Sequence, residues 1–281
     1  MRDDGASRTA FGAAQHRQYH QVFDGTPKIL EDRIIGKLLG SGSLESLMAR
    51  KAYFDSAAGR GLRSSIVLRG RYAEDRLRIA VDEGIGQVLF LGAGLETYAY
   101  RQANPKRPRR IFEIDHPSTQ GRKRGLLESA GLAMPENLVF VPVDFESMDL
   151  MAELGNAQFA RGEPSFISWL GVTVYLTEAA IDEVLSFAAG LAKGSQLVLS
   201  YAEPPTESVP AIGRATIAQR AEAAGEPWIS FFAPEEMEAK LRAHGFSEIL
   251  RLGPEEAERL FAGRTDGLRA PRRPGLVTAI V

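Results

Sequence analysis

Short apolar runs alternate with helical patterns along most of the chain. The runs lie at 88–91, 110–114, 138–143, 165–170, 195–202, 247–252 and 275–281. Between them, apolar positions recur at helical spacing, and Pro-Glu-Glu helix starts stand at 234–236 and 254–256. Strands that alternate with helices form a parallel sheet with crossover helices. The pattern therefore predicts an α/β domain with seven strands, the last of them antiparallel.

Two segments depart from this alternation. Residues 1–65 are helical and irregular, with apolar side chains at helical spacing between Leu30 and Leu39, and a helix over 66–82 leads to the first strand. Residues 203–229 combine several prolines with an Ala-rich patch. We expect one domain, with a helical lid at 1–65, a sheet core at 66–202 and 230–281, and a cap inserted at 203–229.

Composition excludes several classes of protein and site. The 281 residues can bury a sizeable core, and 44% hydrophobic with 25% charged residues is typical of a globular protein. A net charge of −2 argues against a nucleic-acid partner. The absence of cysteine excludes disulfides and thiolate metal sites. No apolar run reaches the ~18 residues of a membrane span, and the N-terminus lacks a signal-peptide pattern. We expect a cytoplasmic protein without a membrane partner.

The run Val88–Leu91 leads directly into Gly92-Ala93-Gly94. A strand that turns through glycines leaves backbone N–H groups free where a nucleoside can approach closely. In a dinucleotide site a third glycine stands three residues after the second, but here that position is Thr97. This departure points away from NAD and towards a nucleoside without a pyrophosphate, such as S-adenosylmethionine. The alternative is a tight turn in an ordinary α/β protein.

The next two strands also end in acids. Asp115 follows Gly92 by 23 residues, close to the spacing of a ribose-binding carboxylate. Glu113 shares its face and is expected to support it, paired with an arginine. Asp144 and Phe145 close the third strand, where they can contact an adenine base. Each acid alone could instead cap a helix, but three successive strand ends of ligand-binding type favour a nucleoside site.

Longer motifs extend the pattern over nearly the whole chain. They are Ser7-Arg8-Thr9-Ala10, Arg69-Gly70-Arg71-Tyr72, Leu91-Gly92-Ala93-Gly94-Leu95-Glu96-Thr97, Glu113-Ile114-Asp115-His116-Pro117, Val141-Pro142-Val143-Asp144-Phe145, the stretch from Ser168 to Thr177, and the stretch from Phe261 to Arg269. With these motifs the chain resembles the leucine carboxyl methyltransferase-like group of S-adenosylmethionine-dependent methyltransferases. Within that group it is similar to the bacterial branch linked to O-methylation of polyketides and other secondary metabolites.

The resemblance implies a class I methyltransferase fold, Rossmann-like, with a seven-stranded, mostly parallel sheet. It implies Gly92 and Gly94 near the methionine part of S-adenosylmethionine, Asp115 on the ribose, and Asp144 with Phe145 at the adenine.

Two positions depart from the family pattern. Leu170 stands where family members often have a glutamate, and Glu74 stands where eukaryotic relatives have a carboxylate-binding arginine. Arg69 or Arg71 could reach the methionine carboxylate instead. Of the two, we take Arg69 as the cofactor-binding residue.

The acceptor side carries fewer signals. Tyr175 follows the fourth strand and is the candidate substrate-binding residue, with a core ring as the alternative. His116 could act as a base at the cofactor mouth or cap a helix. His16 and His20 stand four apart, but no acidic cluster completes a metal site, so we predict none. No catalytic residue is assigned.

These observations predict an enzyme that moves a methyl group from S-adenosylmethionine to an oxygen of a small acceptor. That oxygen would belong to a carboxylate, a phenol or another hydroxyl of a secondary metabolite. The alternatives are C- or N-methylation on the same fold, and a non-catalytic regulator that binds S-adenosylmethionine. A nicotinamide dehydrogenase is disfavoured by Thr97. A small-molecule partner is expected, and no oligomeric state is predicted.

Overall fold

The computed structural model describes residues 7–102, 107–204, 222 and 225–281, and within them seven strands form one sheet. The strands are β1 (Gln87–Leu91), β2 (Arg110–Asp115), β3 (Leu138–Pro142), β4 (Ser165–Trp169), β5 (Gln196–Ser200), β6 (Glu248–Arg251) and β7 (Leu276–Ile280). Their order across the sheet is β3-β2-β1-β4-β5-β7-β6. β1 to β5 pair in parallel, and β7 is antiparallel to both β5 and β6. The predicted α/β fold is confirmed, including its antiparallel last strand.

The central strands are buried on both faces, which explains their continuous apolar runs. Every residue of β1, β4 and β5 is buried. Leu89 and Leu91 belong to one core cluster, whereas Val88 and Phe90 belong to the cluster on the opposite face. This alternation follows from the two-residue repeat of a strand.

Helices cover the two faces. The N-terminal ones are α1 (Arg8–Phe23), α2 (Ile35–Leu39), α3 (Ser43–Ala49), α4 (Lys51–Phe54) and α5 (Ala57–Asp82). The later ones are α6 (Pro117–Ser129), α7 (Leu150–Asn156), α8 (Glu178–Ala189), α9 (Pro234–Ala243) and α10 (Pro254–Phe261). Both Pro-Glu-Glu sequences begin a helix, as predicted. In the part of the chain that the structure describes, no helix is long and apolar enough to span a membrane.

The helix before β1 begins nine residues earlier than the predicted 66–82. The Ser56 side chain accepts a hydrogen bond from Gly59 N at 3.0 Å and caps the helix there. The expected boundary between lid and core at 65/66 therefore falls inside one continuous helix. The lid itself is firmly packed, since residues 14–20 of α1 are all buried.

The predicted cap at 203–229 lies largely outside the described residues. Its last part, from residue 225, runs beside the chain that follows β4. Ile229 N donates to Val174 O at 2.7 Å, and Ser230 Oγ donates to Leu176 O at 2.5 Å. These bonds fix residues 225–232, here called the strap, against the sheet domain.

Candidate functional site

A sharp glycine turn follows β1. Gly92 and Gly94 have φ angles of 65° and 53°, which L side chains rarely adopt. A side chain at Gly92 would also overlap Val172, and one at Gly94 would come within 3.1 Å of Ala10 Cβ on α1. Both positions therefore need glycine because of their positive φ angles. Gly92 also needs it because no room is left for a side chain. Gly94 N donates to the Asp115 carboxylate, which ties the ends of β1 and β2 together.

Asp115 is half-buried and is the last residue of β2. Besides the bond from Gly94 N, its Oδ1 accepts a bond from His116 N at 2.7 Å. Burial raises the pKa of this carboxyl, and the two backbone N–H groups oppose that shift. A carboxylate has about four lone-pair positions, so each oxygen can still accept a hydrogen bond from a ligand hydroxyl.

Asp144 and Phe145 lie just beyond β3 and line the same cleft as Asp115. Asp144 accepts from Glu146 N at 3.1 Å and from Ser147 Oγ at 3.1 Å. It thus holds its own turn and caps no helix, since the N-cap of α7 is Asp149, while both oxygens keep free lone pairs. Phe145 is half-buried and packs against the core cluster that contains Leu89.

These strand ends open into a cleft of about 820 Å³. The carboxyl ends of parallel strands meet at one edge of the sheet, where ligands of open α/β folds bind. The residues of the glycine turn, Asp115 and Asp144 line one part of the cleft. The elements after β4 and β5, together with α1, α4 and α5, line the rest, and contribute Arg69, Tyr175 and Tyr201. All seven sequence-predicted site residues line this one cleft.

Arg69 on α5 lines the cleft and has no counter-ion among the described residues. Its guanidinium packs against Gly171, where any side chain would overlap it. No carboxylate of the described residues pairs with Arg69, and burial lowers the pKa of its guanidinium. Arg71, by contrast, donates to Asp75 at 2.7 Å and to Ile29 O at 3.2 Å. The geometry therefore favours Arg69 over Arg71 as the anion-binding residue.

Arg17 on α1 was not identified as a site residue from the sequence. The side chain is buried, donates to Leu95 O beside the glycine turn, and pairs with Asp32 at 3.0 Å. It also lies 3.9 Å from Glu96. Burial opposes ionisation of Glu96, but Arg17 and Arg101 outweigh it and lower its pKa to about 2. Arg17 thus joins α1 to the glycine turn.

Glu74, which replaces the arginine of eukaryotic relatives, also belongs to this network. Arg101 donates to both of its carboxylate oxygens, at 2.5 and 3.1 Å. Arg101 also donates to Thr97 Oγ1 at 2.9 Å. The position therefore braces the segment after the glycine turn instead of offering a cation to the cleft.

Glu113 does support β2, but its predicted arginine partner is wrong. Its partner is Lys123 of α6, and both side chains are 1% exposed. Burial raises the pKa of Glu113 to about 7 despite the lysine. The side chain of Glu113 contacts α6. The alternation of side chains along β2 shows which face Glu113 shares, but it does not show that Lys123 of α6 is its partner.

The histidines have separate local partners. His116 Nδ1 accepts a hydrogen bond from Ser118 N at 3.3 Å, so it caps α6 while lining the cleft. His16 lies 3.2 Å from Tyr53 Oη, and His20 lies 2.8 Å from Asp24 Oδ2. Among the described residues, no group of three histidine or acidic side chains could hold a metal ion.

Tyr175 is half-buried in the turn after β4 and lines the cleft. Trp228 of the strap lines it too and was not identified from the sequence. The bond from Ile229 N to Val174 O places the strap beside the Tyr175 turn. The only sequence signal for Trp228 was that a large aromatic residue stands in a Pro- and Ala-rich insertion.

Comparison with known proteins identifies the family. A family model described as leucine carboxyl methyltransferase matches residues 10–189. The Bacillus subtilis (strain 168) protein YktD, named as an S-adenosyl-L-methionine-dependent methyltransferase, is 28% identical over 294 residues, which cover 96% of each chain.

Two solved structures share the fold. A protein from Thermobifida fusca YX described as a methyltransferase has a TM-score of 0.57 at 21% identity, covering 88% of this chain and 93% of that one. A DUF574 family protein from Streptomyces avermitilis MA-4680 has a TM-score of 0.59 at 16% identity, covering 96% of this chain and 95% of that one. The match of the family model over residues 10–189, together with the relative aligned over 96% of the chain, shows that this chain belongs to the leucine carboxyl methyltransferase family and is an S-adenosylmethionine-dependent methyltransferase.

Proposed function

We propose that this enzyme methylates an oxygen, of a carboxylate or a phenol, on a small acceptor of the secondary-metabolite type. The wall of the cleft around Tyr53, Phe54, Tyr175 and Trp228 carries this proposal. The Arg50 guanidinium lies 5.4 Å from the ring centroids of both Tyr53 and Phe54. Aromatic rings beside a cation suit a planar acceptor with an anionic oxygen.

The other part of the cleft fits the cofactor. When bound, S-adenosylmethionine supplies an electrophilic methyl group on a sulfonium sulfur. Asp115 would accept from the ribose hydroxyls, and Asp144 with Phe145 would hold the adenine. Gly92 and Gly94 would allow close approach of the methionine part. These roles use lone pairs and space that the folded chain leaves open.

The methionine carboxylate needs a cation, and Arg69 is the candidate for this role. Removal from water is costly for a charge without a partner, so the half-buried guanidinium of Arg69, which has no counter-ion among the described residues, favours an anionic ligand. Gly171 allows the guanidinium to lie flat against the backbone. We therefore assign Arg69 to the cofactor carboxylate.

The reaction asks little of the protein beyond alignment. Methyl transfer is an in-line displacement, and alignment of reactants contributes up to ~7–11 kcal/mol. A carboxylate acceptor is already ionised at neutral pH and needs no base. A phenol would have to lose its proton, and His16 lines the cleft and could accept it.

The test uses S-adenosylmethionine with an isotope-labelled methyl group and a panel of aromatic acids and phenols. We expect label in a methyl ester, which releases labelled methanol in base, or in an ether, which does not. For an ester the rate should stay flat between pH 6 and pH 8, whereas for an ether it should rise with pH. Transfer of label only to carbon or nitrogen would replace the proposal with C- or N-methylation.

A further inference from the structure

The carboxylate of Glu226, in the strap, binds the first turn of α1. It accepts hydrogen bonds from Arg8 N at 2.8 Å, from Ser7 Oγ at 3.1 Å, and from Thr9 Oγ1. An acidic side chain at a helix N-terminus is stabilised by unpaired backbone N–H groups and by the helix dipole. Here that acid comes from residues more than 200 positions away in the chain. We call this contact the clasp.

Each side of the clasp is anchored to the sheet domain independently. Ser7 N donates to Thr119 Oγ1 of α6 at 3.0 Å. On the other side, the strap is held by Ile229 N on Val174 O at 2.7 Å and by Phe232 N on Ala202 O at 2.9 Å. The clasp therefore joins two fixed walls, and it is not an isolated surface contact.

Both walls face the cleft. Residues 7–10 line it, and so do Glu226 and Trp228 of the strap. The first turn of α1 also reaches the glycine turn, because a side chain at Gly94 would come within 3.1 Å of Ala10 Cβ. The clasp thus holds the Ser7-Arg8-Thr9-Ala10 motif over the segment that is expected to contact the methionine part of the cofactor.

We propose that Glu226 is a positioning residue that keeps the first turn of α1 closed over bound cofactor and slows its exchange. The inference rests on the cofactor position proposed above, and concerns the first turn of α1, which would cover the cofactor there. Opening the clasp separates three donors from a carboxylate, and hydrogen bonds to charged groups are the stronger class. Release of S-adenosylhomocysteine should therefore be faster when the carboxylate is removed.

The test is Glu226→Gln, which keeps the size of the side chain but removes its charge. The dissociation rate of S-adenosylhomocysteine can be followed by stopped-flow fluorescence, since Trp228 lines the cleft. Loss of charged hydrogen bonds should raise that rate about tenfold. The thermal midpoint of the ligand-free protein should stay close to that of wild type. Glu222→Gln is the matched control, because Glu222 is exposed and lies four residues earlier.

A double-mutant cycle tests the contact itself. Thr9→Val removes one donor to the carboxylate without a change in shape. If the clasp acts as described, Glu226→Gln and Thr9→Val together should raise the rate by less than the product of their separate effects. Full multiplicativity would show that the two residues act separately.

An unchanged dissociation rate in Glu226→Gln, or an equal rise in Glu222→Gln, would overturn the inference. Either result would leave the proposed cofactor position intact, since that position is tested separately by Asp115→Ala. A faster rate accompanied by a large fall in the thermal midpoint would reduce Glu226 to a stabilising contact, and would also count against the inference.

Discussion

At the scale of single residues, Asp115 has two tasks. Its carboxylate ties Gly94 and His116 together through their backbone N–H groups, and its remaining lone pairs face the cleft. Asp115→Ala should therefore weaken binding of S-adenosylhomocysteine at least about tenfold, because hydrogen bonds to a charged group contribute roughly 1.5–3 kcal/mol each. Calorimetric titration measures the loss.

His116→Ala is the control for that variant. It should cost about 1 kcal/mol of stability, since His116 caps α6, and leave the affinity for S-adenosylhomocysteine nearly unchanged. Wild-type affinity in Asp115→Ala would mean that Asp115 serves only the backbone of the turn.

Arg69 can be tested with two ligands that differ at one end. 5′-Methylthioadenosine shares the ribose and adenine of S-adenosylhomocysteine but lacks the amino-acid carboxylate. Arg69→Met should weaken S-adenosylhomocysteine about tenfold or more through the lost ion pair, and hardly change the affinity for methylthioadenosine. Arg71→Met, whose side chain pairs with Asp75, is the control. Equal losses for both ligands would refute the assignment to the carboxylate.

The sequence predicted residues that lie at strand ends and missed those that reach them from elsewhere. Gly92, Asp115 and Asp144 follow apolar runs, so strand geometry alone places them at one edge. Arg17 and Glu226 act through contacts with Leu95 and with residues 7–9, far away in the chain. Periodicity carries no information on such pairs. For the same reason the sequence did not identify Arg17.

At the scale of elements, helix ends were the weakest predictions. The helix before β1 was expected from residue 66, although Ser56 caps it at Ala57. Gly59 and Gly61 weaken the helical pattern in its first turns, and burial overrides that weakness, since Gly59 and Arg63 are both buried. The strands were predicted well because buried parallel strands are short, apolar and bounded by turns.

The segment after α10 supplies a further test at this scale. Asp266 accepts from Gly25 N at 2.8 Å, and Arg264 donates to Pro27 O at 2.7 Å, so the segment holds the loop after α1. Burial opposes ionisation of Asp266, but bonds from Arg264 and from the Gly25 and Leu268 backbones outweigh it and lower its pKa to about 2. A carboxyl group whose pKa is lowered by folding stabilises the folded state at any pH above its ordinary pKa. This stability is lost as the pH falls towards 2.

Asp266→Asn should therefore be less stable than wild type at pH 7, by about 1–2 kcal/mol. The difference should narrow as the pH falls from about 4 towards 2, because the unfolded wild-type chain binds a proton at Asp266 before the folded chain does. Urea unfolding at pH 7, 4 and 3 measures it, with the exposed Glu258→Gln as control. A difference that stays constant with pH would assign the effect to packing rather than to the charge of Asp266.

At the scale of the whole molecule, the order of strands explains why distant motifs form one site. β1 lies between β2 and β4, so the glycine turn is flanked by Asp115 on one side and by Gly171 and Tyr175 on the other. The parallel alternation predicted this convergence. The other walls of the cleft come instead from α1, α4, α5 and the strap, whose placement depends on long-range packing that the sequence pattern does not encode.

Hydrogen exchange with and without S-adenosylhomocysteine shows whether the cofactor binds at the ends of β1, β2 and β3, because it reports on all three strand ends at once. If it binds there, amide exchange should become slower at 92–96, 115–119 and 143–147 together. The exchange rates in β6, at the far edge of the sheet, should stay unchanged. Binding of S-adenosylhomocysteine that leaves these three segments unprotected would contradict this prediction, and would place the cofactor outside this cleft.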